Sequence, residues 1–339
     1  MSTFERASPP VPAPAVPGAG CTSGSQEELA FSREAADQDR ERAARIVLSQ
    51  LVEPADAAMG ALLLDHSASA IHAAITHGQF RTGRAAQWRA RLDELQREPG
   101  ADRAQFLGAR YVIPGDPEWP SRPDDLGADR PMGLWVRGLP QLNQYVDESV
   151  ALVGARAATS YGEHVAQEMG SDLAEQRWTV VSGAAYGIDG AAHRGALAVE
   201  GPTVAVLACG VERAYPRGHQ RLIDHIAESG LVVSELPLGA HPLRSRFLLR
   251  NRLIAALSCG TVVVEAGLRS GARRTATDAL NLQRHLMAVP GPVNSPASMG
   301  CHELVRWFNA TLVTDASDVL DVVAAMGEHV ASPRRSPSV

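Results

Sequence analysis

The sequence predicts an α/β chain built on a doubly wound parallel sheet, preceded by a small N-terminal helical domain. Three observations predict it. From Val150 onward, short β-favouring apolar runs alternate with stretches of helical periodicity, the pattern of strands joined by crossover helices. The runs are apolar at consecutive positions rather than at every second one, as in strands covered on both faces. Residues 39–105 carry helical spacing with no strand among them.

Residues 1–38 are rich in Pro, Ala, Ser and Gly and poor in large apolar side chains, which predicts a disordered extension. In 39–105, apolar residues recur at helical spacing: Ile46, Val47 and Leu51, then Met59, Leu62 and Leu63, then Ile71, Ile75 and Phe80, then Trp88, Leu92 and Leu95. They predict a SAM/HhH-like helical domain. No Gly-x-Gly hairpin stands between its helices, which favours packing or partner docking over DNA binding there. Residues 106–148 predict a connector, with strands at Tyr111–Pro114 and Leu134–Gly138 separated by Pro-rich turns. Residues 149–315 predict the main domain. Its strands are Val150–Gly154, Thr179–Gly183, Thr203–Gly210, Leu231–Leu236, Thr261–Ala266 and His285–Gly291, with Thr311–Val313 as an added strand. Helices fall at Glu163–Arg177, Asp189–Val199, Arg217–Ser229, Ser245–Ser258, Thr275–Arg284 and Met299–Ala310. Residues 316–339 predict a short C-terminal tail, frayed beyond Val323.

With 339 residues, 45% of them hydrophobic, there is room for one large core and a smaller domain. A net charge of −6 argues against a globally basic nucleic-acid binder but not against a local cluster of bases. The chain has no lysine, so every long cationic side chain is an arginine, which offers planar bidentate contacts where lysine offers a point charge. Cys21, Cys209, Cys259 and Cys301 are far apart with no CxxC, which predicts small buried thiols rather than metal ligands or disulfides. No apolar run is long enough to span a bilayer and the N-terminus lacks an apolar signal core. These features predict a soluble, cytoplasmic protein with no membrane partner.

The loops at the carboxyl ends of the strands carry the chemistry, because ligands bind there in a doubly wound sheet. The first, after Gly154, presents backbone N–H groups toward a helix N-terminus and adds Arg156, a pairing suited to an anion. The second, Ser182-Gly183-Ala184-Ala185-Tyr186-Gly187-Ile188-Asp189, has two glycines that let backbone approach a ligand. Asp189 and His193 share a helix face; a cap plus a packed imidazole is the reading preferred over acid–base chemistry. The third places Arg217 at a helix start. The fourth and fifth hold seven arginines between His241 and Arg274 against one acid, Glu265. Arg250-Asn251-Arg252 lie among core-type residues, which a solvated face explains poorly; an anion site is the reading preferred over structural pairing with acids. Ser270, Gly271 and Thr275 at a helix entry would seat another phosphate. Glu265 is expected either to hold its own loop by bonding to its amides or to pair with an arginine.

No GxGxxG, GxxxxGK[ST], GxSxG or HExxH occurs, and the eleven histidines lack ligand spacing. Positive loops without a nucleophile or metal set predict binding rather than catalysis, with no cofactor.

Seven motifs in order resemble the DNA-processing protein A (DprA/Smf) family over about residues 150–310. They are Val153-Gly154-Ala155-Arg156; Ser182 to Asp189 with His193; Tyr215-Pro216; Ser234-Glu235-Leu236-Pro237; Phe247-x-x-Arg250-Asn251-Arg252-x-Ile254; Val264-Glu265-Ala266 with Ser270-Gly271 and Thr275-Ala276; and Ala288-Val289-Pro290-Gly291. The resemblance implies an extended Rossmann domain that binds single-stranded DNA, loads RecA recombinase during natural transformation and forms a homodimer. It implies Arg156, Arg217, Arg250 and Arg252 as phosphate contacts. Phe247 is either a base-stacking platform or a core residue, two readings that stay open. The chain departs from the family at Ala272, Met299 and Trp307-Phe308-Asn309, and no winged-helix domain is expected after Asp318. The rival reading is a nucleotide-processing enzyme that hydrolyses nucleoside monophosphates, with Glu265 and Arg250 catalytic.

Overall fold

Consecutive apolar residues require cover on both faces of a strand, and the computed structural model, which describes residues 23–80, 83–95 and 108–324, supplies it. The described chain divides into two units between Arg40 and Glu41. Helix α1 (Ser23–Leu51) begins inside the stretch predicted as disordered. Its Glu-, Ala- and Arg-rich sequence from Gln26 favours helix, and the Pro-rich composition upstream masked that in the averaged reading. Residues 1–22 of that extension lie outside the described residues, as do 96–107 at the predicted domain–connector boundary and 325–339 of the tail.

In the second unit the end of α1 packs with α2 (Ala57–Asp65), α3 (Ala68–Thr76) and α4 (Gly83–Leu95). Leu51, Met59, Ile71, Ile75, Trp88 and Leu92, all periodic positions of the sequence, form their shared core together with Leu48. Asp56 caps α2 by accepting from the N–H groups of Ala58 and Met59, and Ser67 caps α3.

The sheet has nine strands: β1 (Ala109–Val112), β2 (Leu134–Gly138), β3 (Ser149–Gly154), β4 (Thr179–Ser182), β5 (Thr203–Val206), β6 (Leu231–Ser234), β7 (Gly260–Glu265), β8 (His285–Ala288) and β9 (Thr311–Leu312). Their spatial order is β1-β2-β6-β5-β4-β3-β7-β8-β9. From β6 to β9 every pairing is parallel, while β1 and β2 add an antiparallel edge. The predicted connector strands are therefore part of the sheet itself. In β3, Val150 and Leu152 enter the core on one face and Ala151 and Val153 the core on the other. Val262 and Val264 of β7 alternate with Val263 in the same way.

The helices are α5 (Leu142–Asp147), α6 (Ser160–Glu175), α7 (Ile188–Ala198), α8 (Gln220–Ser229), α9 (Arg244–Leu257), α10 (Ala272–Asn281), α11 (Met299–Trp307) and α12 (Ala316–Ala324). The C-terminal tail begins with α12, an element the sequence reading did not place, whose Val319 and Val323 are buried in the core. Arg217–His219 forms a short 3-10 turn ahead of α8. Among the described residues no helix is long and apolar enough to cross a membrane.

Strand order reverses between β3 and β7, which are neighbours although the chain between them builds β4, β5 and β6 to one side. Their following loops diverge, and this topological switch point opens a crevice at the carboxyl edge of the sheet.

Candidate nucleic-acid interface

The crevice is a cleft of about 730 Å³. The loop after β3 lines it with Gly154 and Arg156, the loop after β7 with Gly267, Arg269, Ser270 and Gly271, and α9 with Arg244, Phe247, Arg250 and Asn251. Thr275 of α10, Tyr215 and Asp189 complete the wall.

The arginines separate by partner. Arg246 pairs with Glu53, Arg252 with Glu235, Arg273 with Glu303 and Arg274 with Asp278. Arg156, Arg244, Arg250 and Arg269 have no carboxylate ion pair among the described residues, and all four line the cleft. The local excess of arginine read from the sequence thus resolves into a set paired with carboxylates and a set that is not.

Arg250 is buried on α9. Its Nη1 donates to the carbonyl oxygens of Gly183, at 2.8 Å, and Val206, and its Nε donates to Asn251 Oδ1 at 3.2 Å. Asn251 Nδ2 in turn donates to the Gly271 carbonyl at 3.3 Å, tying α9 to the loop after β7. Burial pushes the Arg250 guanidinium down to about 10, against the opposing influence of Asp189. Asp189 is itself raised by burial, with Arg250 and the backbone N–H groups of Ala185 and Gly183 acting in the other direction. Gly183 has no room for a side chain: a Cβ there would lie 2.1 Å from Arg250 Nη1.

Phe247 is half-buried and lines the cleft, so it is a wall rather than a core residue. The Arg156 guanidinium carbon stands 4.7 Å from its ring centroid, and the Tyr215 ring lies 5.3 Å away on a tilted plane. The three form a run of flat π surface ending in a cation.

Five of the sequence-predicted site residues do not line the cleft. Ser182 Oγ donates to the Leu152 carbonyl at 2.6 Å and links β4 to β3. Gly183 and Gly187 act by closeness: Gly187 has φ +74°, and a Cβ there would lie 2.3 Å from the Ala155 carbonyl oxygen. Arg217 is exposed on its 3-10 turn, outside the cleft. Arg252 is withdrawn from any ligand, being buried with both terminal nitrogens on the Glu235 carboxylate at 2.8 and 2.9 Å.

Two expected roles also change. Glu265 neither holds its own loop nor pairs with an arginine. It accepts from Thr159 N and Thr159 Oγ1, both at 2.8 Å, so a carboxylate of the chain sits at the start of α6, where the sequence suggested a ligand anion. Asp189 is not the cap of α7, whose N-cap position is Gly187. His193 is fully buried with Nδ1 2.7 Å from Thr203 Oγ1, a packed imidazole as preferred from the sequence. Cleft residues the sequence did not single out as a site are Arg244 and Arg269, noted only within the arginine count, and Tyr215. Their signal was position after a strand or at a helix start.

The sequence model of the family described as DNA recombination-mediator protein A matches residues 110–324. The chain belongs to the DNA recombination-mediator protein A family. A Mycobacterium tuberculosis protein that bears the name DNA processing protein DprA is 46% identical over 297 residues, 83% of this chain and 75% of its own length. The X-ray structure of DprA from Streptococcus pneumoniae superposes with a TM-score of 0.67 at 30% identity, covering 83% of this chain and 97% of that one. A Helicobacter pylori DprA structure, described for its single-stranded DNA binding mode, gives 0.57 at 28% identity, covering 64% of this chain and 97% of its own. The doubly wound sheet is thus the DprA fold, and the cleft lies inside the segment that the family model matches.

Proposed function

We propose that the cleft binds single-stranded DNA and that the protein is a non-catalytic, cytoplasmic recombination mediator. In this reading it protects incoming strands and loads RecA recombinase onto them during natural transformation. The observation that carries the reading is the convergence of Arg156, Arg244, Arg250 and Arg269, none ion-paired to a carboxylate among the described residues, around one cleft that also holds the Phe247–Tyr215 surface. Guanidiniums take phosphates, and flat rings take unstacked bases, a combination that favours a single strand over a duplex. The description of the Helicobacter pylori relative supports the same ligand class.

Affinity that rests on phosphate contacts falls steeply with salt. A gel-shift comparison of single-stranded and duplex DNA at two salt concentrations tests the reading; equal binding of both, or salt-independent binding, defeats it. Mediator activity is tested by the rate at which RecA nucleates on the strand with and without the protein; an unchanged rate defeats loading.

The enzymatic alternative needs Glu265 free in the cleft, and Glu265 is instead 3% exposed and bonded to Thr159. Release of adenine from AMP by the pure protein would restore that alternative. We further assign self-association as a homodimer to the exposed Trp307, Phe308 and Leu312 beside the edge strand β9, since exposed apolar edges seek partners. A monomeric mass in sedimentation at micromolar concentration would refute it.

A further inference from the structure

The cleft is not the whole cationic surface at this edge. Tyr186 is the residue after Ala185, which lines the cleft, and it is 49% exposed. An exposed tyrosine alone means little. This one is braced. Its ring stands edge-on to the His219 ring at 4.7 Å and 72°. Its hydroxyl lies over the 3-10 turn, where a Cβ on Gly218 would come within 2.5 Å of it.

The brace is itself held from below. His219 is buried, and its Nδ1 lies 3.0 Å from the Ala184 carbonyl oxygen. A carbonyl only accepts, so Nδ1 carries the proton and donates. Nε2 is then the acceptor for Arg194 Nη2 at 3.3 Å. Arg194 on α7 and Arg217 on the turn are both exposed, and neither has a carboxylate partner among the described residues. A ring held on an imidazole that also holds an unneutralised guanidinium is a stacking platform with a phosphate contact beside it. Ala185 and Tyr215 of the cleft each lie within two residues of this group, so the two surfaces are continuous along the chain.

We propose that a strand seated in the cleft continues over a second subsite made by Tyr186 and Arg194. The subsite takes one unstacked base on the tyrosine and a phosphodiester on Arg194. It rests on the single-stranded DNA reading of the cleft.

The test is a length series of oligo-dT, from about 4 to about 16 nucleotides, the range of single-strand site sizes. The full chain is titrated as wild type, Tyr186→Ala, Tyr186→Phe and Arg194→Gln, with thermal melts of each. The expected result is that the shortest oligomers bind all four proteins alike, because they fill only the cleft. The longer ones bind Tyr186→Ala about tenfold more weakly, while Tyr186→Phe retains wild-type affinity because the ring is kept. Arg194→Gln lowers the salt slope by about one, on long oligomers only. Length-dependent binding that ignores Tyr186→Ala, or an equal loss at every length, overturns the second subsite and leaves the cleft standing. No binding by the wild type at any length overturns the cleft reading and this one together.

Discussion

Arg252 donates from Nη1 and Nη2 to the two carboxylate oxygens of Glu235, at 2.8 and 2.9 Å, with both side chains about nine-tenths buried. The pair fastens α9 to the end of β6, and α9 carries one wall of the cleft. Removing one partner strands a buried charge, which typically costs about 3–5 kcal/mol. Arg252→Ala is therefore expected to lower the denaturation midpoint strongly, while the protein that remains folded binds DNA as before. Chemical denaturation and titration of the same preparations check both halves. A loss of affinity with no loss of stability would return Arg252 to the ligand.

Arg156 is the opposite case. It is exposed, touches Phe247 through its guanidinium, and forms no carboxylate ion pair among the described residues. Arg156→Ala is expected to leave the melting temperature within a degree or two, to weaken oligo-dT binding about tenfold, and to reduce the salt slope by about one. Titrations at two salt concentrations beside a melting curve measure all three.

Phe247→Leu keeps apolar bulk in the wall and removes the flat face. Stacking of a base on an aromatic ring contributes about 1–3 kcal/mol. The expected outcome is a clear loss of affinity at nearly unchanged stability, read by the same pair of measurements. Retained affinity would make Phe247 a packing residue after all.

His193 sets a pH dependence. Burial, with His219 and the nearby arginines adding to it, pushes its imidazole from 6.5 down to about 3. The unfolded chain binds a proton on His193 that the folded chain refuses, so stability is fully present above about pH 6.5 and falls as pH drops toward 3. The slope from this one residue approaches about 1.4 kcal/mol per pH unit within that window. Denaturant unfolding at several pH values from 7 to 4 is expected to show it, and His193→Gln is expected to flatten it by about one proton.

The strands and most helices of the main sheet were legible because a buried parallel strand writes its environment into consecutive residues such as Val150 to Val153 and Val262 to Val264. Their ends were less so. Leu207 to Gly210 and Leu236 are as apolar as the strands before them, so composition could not say where ladder pairing stops. Helix α12 was missed because it is short, and the burial of its Val319 and Val323 depends on the distant β8 and α6. The same limit governs the site. Sequence showed that arginines crowd the region from His241 to Arg274, but which of them are neutralised is decided largely by acids outside it: Glu53, Glu235, Asp278 and Glu303. It also placed an anion at the start of α6 without seeing that Glu265 would be that anion.

The hold that Gly183 and Val206 keep on Arg250 has a consequence for how this surface can evolve. Those carbonyls end β4 and β5, so one guanidinium serves as the seam between two strands and as a fixed positive point in the groove beside them. A mutation that surrenders the charge also opens the seam. Drift toward weaker binding is therefore screened at this position by misfolding before it is screened by function, and changes in ligand preference have to come from the looser rim, at Arg244 and Arg269.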